Sequence, residues 1–158
     1  MPRKYKALPE YYLLPDPRYD NKTVSRFINT LMRDGKKSTA QRIFYDALNV
    51  LKKKVADQLP INVFVKAVEN AKPQIETKSR RVGGATYQVP VQVQQKRALS
   101  LAVKWIITSA RSKKGRPMAE RLADEIIASF KNEGESVKKR DEVHRMAESN
   151  RAFAHLAF

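Results

Sequence analysis

Residues 74–93 read QIETKSRRVGGATYQVPVQV, and across them the hydrophobic period changes from that of a helix to that of a strand. Tyr87, Val89, Val91 and Val93 alternate with Gln88, Pro90 and Gln92, and Ile75, Thr77 and Ser79 alternate before them. A period of two sends successive side chains to opposite faces of an extended chain. The expectation is two strands joined at Arg80 to Ala85, with Gly83 and Gly84 supplying the positive φ of the turn. Pro90 has no N–H to donate to a ladder, so the return strand should be an edge. Lys78, Arg80 and Arg81 crowd the turn, and such a cationic hairpin can set guanidinium and backbone groups against a polyanion. Little in it suits a core. A lone ribbon of two strands is marginal in water, so it is expected to be mobile until bound.

On both sides of the ribbon the period is helical. Val24, Phe27, Ile28, Leu31 and Met32 share one face of a first helix, with Asp20 or Asn21 to cap its start and Gly35 its end. Ser38 and Gln41 have capping-box spacing ahead of a second stripe through Ala40, Ile43, Phe44, Ala47, Leu48, Leu51 and Val55. A third helix opens at Leu59-Pro60 and carries Phe64, Ala67, Val68 and Ala71. After the ribbon, a fourth helix from about Lys96 to Arg111 is apolar over more than half its circumference, with Trp105 assigned to the core. A fifth follows Pro117 and ends at Gly134. From Ser136 onward the weak stripe of Val143, Met146 and Ala147 predicts a helix lying on the surface or on a partner. The expected fold class is mainly α. It is a single-domain bundle of about six helices with a protruding two-stranded β-ribbon between helices three and four. The parts are an extended basic arm over 1–22, a helical core over 23–135 with the ribbon at about 74–93, and a C-terminal surface helix and tail over 136–158.

Charge states the partner class. The 158 residues hold 32 Lys and Arg against 16 Asp and Glu, a formal net charge of +16. That excess costs self-repulsion in the compact state, and a phosphate partner relieves it. There is no cysteine, which excludes disulfides and thiolate metal sites. No apolar run approaches the roughly 20 residues of a membrane span. No apolar stretch follows Arg3, Lys4 and Lys6, so no secretory signal is expected.

The cations gather at connections. Lys36 and Lys37 follow the first helix; Arg111, Lys113, Lys114 and Arg116 join the fourth to the fifth; Lys138, Lys139 and Arg140 open the last. Cations on short loops of a helical scaffold can meet phosphates without disturbing the core. The run at Lys52 to Lys54 reads instead as a solvated helix C-terminus favoured by the dipole. No helix offers the base-reading polar face that duplex DNA requires, whereas scattered loop cations and a ribbon suit an irregular folded RNA. Catalytic and metal constellations are absent from the pattern: His144 and His155 lack partners at ligand spacing, and Gly83-Gly84 is followed by no P-loop lysine. Glu120, Asp124 and Glu125 among Arg116 and Arg121 read as helix-surface pairs. No cofactor and no metal are expected.

The chain also resembles bacterial ribosomal protein S-seven, of the small subunit. The stretches that carry the resemblance are LPDPRYDN at 14–21, LMRDGKKSTA at 31–40, KSRRVGGATYQVPV at 78–91, ARSKKGRPMAERLADEI at 110–126 and VHRMAESNRAFAHL at 143–156. The resemblance implies a structural, non-catalytic protein in the cytoplasmic or an organellar ribosome. It would bind the rRNA of the subunit's head, nucleate assembly there, and lie at the subunit interface near exit-site tRNA and mRNA. It implies rRNA contacts by Arg3, Lys4, Lys36, Lys37, Arg111, Lys113, Lys114 and Arg116. Lys22, Arg97, Lys138, Lys139 and Arg140 are added as candidate rRNA contacts. Lys78, Arg80, Arg81, Gly83 and Gly84 form the ribbon's tRNA and mRNA side. Ribosomal protein S-eleven and other head proteins are the implied neighbours, with no membrane. Gln94 stands where the family usually carries arginine, and Leu156-Ala157 where it often carries a basic residue. The competing class is a non-specific architectural DNA- or RNA-binding protein.

Overall fold

The first regular element begins where a side chain satisfies an orphan donor. The Asn21 Oδ1 accepts the Thr23 N–H at 2.7 Å, and α1 runs Lys22–Leu31 behind it. This is a computed structural model describing residues 13–55 and 58–157. Arg3, Lys4, most of the expected arm and Phe158 lie outside the described residues. Within residues 13–21, buried Asp16 accepts the N–H groups of Arg18 and Tyr19 on Oδ2, a side-chain turn rather than an extended arm.

The described residues form six α-helices, one antiparallel ribbon and a terminal 3-10 helix: α1, then α2 (Lys37–Lys54), α3 (Pro60–Ala71), β1 (Ile75–Val82), β2 (Ala85–Gln92), α4 (Gln95–Ser112), α5 (Met118–Phe130), α6 (Glu135–Ser149) and the 3-10 turn Arg151–Ala157. The chain divides into two compact units, Met1–Arg42 and Ile43–Phe158, and α2 runs through the division. In the first unit Val24, Phe27, Ile28 and Leu31 are buried on one face of α1, as the spacing requires. In the second the core is built from Phe44, Leu48 and Leu51 of α2, Val63, Phe64 and Val68 of α3, Val103, Ile106 and Ile107 of α4, and Leu122 and Ile126 of α5. Phe44 meets Phe64 edge-on with ring centroids 5.2 Å apart, a preferred aromatic geometry.

Helix ends depart from the sequence expectation in three places. α1 stops at Leu31, and the turn beyond it puts both Asp34 (φ 52) and Gly35 (φ 72) in the left-handed region. α2 starts at Lys37, so Ser38 lies inside the helix and is not its cap. α5 ends at Phe130, not at Gly134, because Asn132 (φ 63) takes the left-handed position. The Glu133 N–H then reaches the Ala128 carbonyl at 2.8 Å and the Asn132 N–H the Ser129 carbonyl at 3.1 Å, a Schellman closure. Trp105 is half-buried rather than core: it lines a shallow recess with Thr108, Ser109, Ser112, Glu135 and Lys139.

The ribbon lies between α3 and α4, with register Ile75↔Gln92 through Val82↔Ala85. Its turn is the two residues Gly83 (φ 57) and Gly84 (φ 88), the pair of positive φ values that a type I′ hairpin needs. Arg80 and Arg81 are therefore strand residues, not turn residues. Nor is the ribbon lone. Val89 is buried, the Tyr87 and Phe153 rings stack with centroids 5.2 Å apart, and the Thr77 hydroxyl donates to Met146 Sδ. The α6 side supplies another link, His144 Nε2 accepting the Gln74 N–H at 2.9 Å. α6 itself buries Ser136, Val137 and Ala147 and leaves most of its other residues exposed.

Candidate nucleic-acid interface

Four groups of cations can be placed. In the first unit, the left-handed residues Asp34 and Gly35 close a tight turn in which the Lys36 N–H bonds the Arg33 carbonyl at 3.0 Å. Lys36 and Lys37 project from it, exposed, and Lys22 stands exposed at the start of α1. Among the described residues none of these three side chains has a hydrogen bond or ion pair. A cation held by backbone geometry and left without a carboxylate is available to a phosphate.

The second group is on the ribbon, and strand geometry splits it. Lys78 and Arg80 share a face with Glu76, while Arg81 falls on the opposite face. Glu76 is only 7% exposed and accepts Arg97 Nε at 2.7 and 2.9 Å, with Lys78 Nζ at 3.7 Å. Arg97 thus ties the base of the ribbon to α4. Arg80 Nη1 donates to the carbonyl of Leu156, so the terminal 3-10 turn occupies it. Arg81 has no such partner among the described residues and points from an exposed strand. Gly83 and Gly84 have open space around them; their role is the turn.

The third group is the connection from α4 to α5. Gly115 (φ 85) reverses the chain between Lys114 and Arg116. Lys114 is exposed and unpaired among the described residues, and Arg116 Nη1 lies 3.1 Å from Asp124 Oδ2. Asp124 also takes Lys54 Nζ at 2.5 Å, so the α2 terminus is partly neutralised there. Lys113 behaves differently: its ammonium lies 2.8 Å from Oε2 of Glu125, a carboxylate with no exposed surface. Reading Glu125 as a surface pair was wrong, and its burial is explained by the groups that satisfy it. Oε1 accepts both the N–H and the hydroxyl of Ser136 at 3.0 Å, and Ser136 in turn meets the Ser129 hydroxyl at 2.7 Å.

The fourth group, Lys138, Lys139 and Arg140, lies within α6 rather than on a loop, and each has a neighbour. Lys138 bonds Glu135 at 2.9 Å and Lys139 bonds Glu142 at 2.6 Å, pairs that hold both carboxyls below their ordinary range. Arg140 bonds Asp141 and donates to the Asn70 carbonyl. The two lysine pairs are exposed and exchange easily with phosphate, since each stabilises little. Among the described residues no cluster of His, Asp and Glu could hold a metal ion, and no helix is long and apolar enough to cross a membrane.

A family model described as ribosomal protein S7p/S5e matches residues 2–151. The chain belongs to this family. Small ribosomal subunit protein uS7 of Rhodopirellula baltica is 56% identical over 147 residues, covering 92% of this chain and 94% of the relative. The protein of the same name from Desulfotalea psychrophila is 51% identical over 150 residues, covering 95% and 96%. That from Thermodesulfovibrio yellowstonii is 52% identical over 155 residues, covering 98% of each chain. The ribbon and the α4–α5 connection both fall inside the span that matches the S7p/S5e family.

Proposed function

We propose that the protein is a structural, non-catalytic component of the small ribosomal subunit in the bacterial cytoplasm. It binds rRNA of the head, starts assembly of that region, and places its ribbon toward exit-site tRNA and mRNA. Family membership over residues 2–151 carries the reading. It is supported by exposed cations without carboxylate partners: Lys36 and Lys37 in one unit, Lys114 on a connection and Arg81 on a strand in the other.

The rRNA contacts proposed are Lys22, Lys36, Lys37, Arg111, Lys114 and Arg116, with Lys138, Lys139 and Arg140 able to exchange their surface carboxylates for phosphates. Arg3 and Lys4 belong to the same proposal on family grounds. Lys78, Arg80 and Arg81 are assigned to the tRNA and mRNA side. Arg97, paired with Glu76, acts on RNA through the ribbon base it fixes. A ribosomal protein of the S-eleven family is the proposed protein neighbour of the C-terminal region. Hydroxyl-radical footprinting on small-subunit rRNA tests the reading. Protection confined to the head is the expected pattern, and protection spread over the whole molecule would contradict it.

A further inference from the structure

The α4–α5 connection is held from below by two residues one turn apart on α5. Arg121 Nη1 donates to the Lys113 carbonyl and reaches the Arg111 carbonyl at 3.5 Å. Glu125 takes the Lys113 ammonium at 2.8 Å. Lys113 is thus gripped at both its backbone and its side chain, and the next residue, Lys114, faces solvent. The same carboxylate binds the Ser136 N–H, an orphan donor in the first turn of α6, which Gly134 at the N-cap cannot satisfy for lack of a side chain. One buried group therefore joins the cationic loop to the start of α6.

We infer that Lys113 is a positioning residue and not a phosphate contact: with the buried Glu125 carboxylate it forms a pin that orients Lys114 and Arg116 toward RNA. The inference deepens the RNA-binding reading and rests on it. A 2.8 Å bond to a fully buried carboxylate is not exchanged for a phosphate at little cost, because a buried charge left unpaired is strongly unfavourable. The neighbouring cations carry no such obligation.

Glu125→Gln separates the pin from simple electrostatics by sign. Glutamine keeps an oxygen for Ser136, removes one negative charge and raises the net charge of the protein. Charge alone predicts tighter binding to RNA. The pin predicts binding weaker by about three- to tenfold at fixed salt, since Lys114 and Arg116 lose their orientation. It also predicts that Lys114→Ala costs less in the Glu125→Gln background than in the wild type, where independent contacts would add. Unchanged or tighter binding, or full additivity with Lys114→Ala, overturns the inference. Urea unfolding of Lys113→Met, Glu125→Gln and the double variant reads the pin without RNA. The double should be more stable than the sum of the singles predicts, and additive stabilities would also overturn it. Should the wild type fail to select rRNA while this coupling is present, the functional reading falls and the pin as a structural element stands.

Discussion

Gly134 shows how one missing methyl group can be a requirement. Its backbone is ordinary, yet a Cβ placed there would lie 2.5 Å from the Ser129 hydroxyl, 2.9 Å from the Ser129 nitrogen and 3.0 Å from Glu125 Oε1. Gly134→Ala must therefore push apart the groups that satisfy the buried carboxylate, and should destabilise the protein by roughly 1–3 kcal/mol in denaturant unfolding. An unchanged midpoint would contradict that account. Gly84 is required for the opposite reason: space is open around it, but its φ of 88° is one that residues with a side chain rarely adopt. Gly84→Ala should cost about 1–2 kcal/mol of local hairpin stability, seen as faster amide exchange in β1 and β2 with little change in global unfolding. The Gly84 requirement was legible in the sequence as the positive φ of a turn, whereas that of Gly134 was not. Glu125 was hidden for a related reason. A carboxylate spaced near arginines on a helix reads as a surface pair, and only the approach of α6 shows that Ser136 and Lys113 enclose it.

At the scale of elements, the change of period across residues 74–93 was enough to locate the ribbon and to make the rest helical. It did not locate the turn. Cations adjoining glycines look like a loop, whereas a two-residue turn lets Arg80 and Arg81 complete the strand on opposite faces. Of the weak stripe expected on α6, Ala147 is buried and Met146 is exposed, while the burial of Ser136 and Val137 at the start of the helix was not legible. The ribbon consequently has a fixed base and a free end. Val89, 2% exposed, should cost about 2 kcal/mol when truncated to alanine, while Val82, 40% exposed, should fall within about 0.5 kcal/mol. Equal effects in chemical unfolding would mean that the base is not anchored. The ribbon's cations carry a functional expectation: Arg80→Ala with Arg81→Ala should leave binding to head rRNA within about twofold, while Lys36→Ala with Lys37→Ala should flatten the log–log salt slope by roughly 1.5. Filter binding across salt checks both, and a loss on the ribbon equal to that on the turn would contradict the division of labour.

For the whole molecule, a net charge of +16 guarantees attraction to any polyanion and says nothing about selection. Selection has to come from where the backbone fixes the cations. The structure divides them into those committed to carboxylates, such as Lys113 and Arg97, and those left exposed at tight turns, such as Lys36 and Lys114. With about six to eight phosphates neutralised, the log–log salt slope should be on the order of −4 to −7, and a slope near −1 would rule out a multi-cation contact. Whether fixed cations recognise the shape of a folded rRNA is decided by competition binding. The protein is bound to a head-domain rRNA fragment, with duplex DNA and bulk tRNA as competitors, from low to high salt. Preference for the head fragment should persist as salt rises, because shape is not screened. Equal competition by all three nucleic acids at every salt concentration would contradict it.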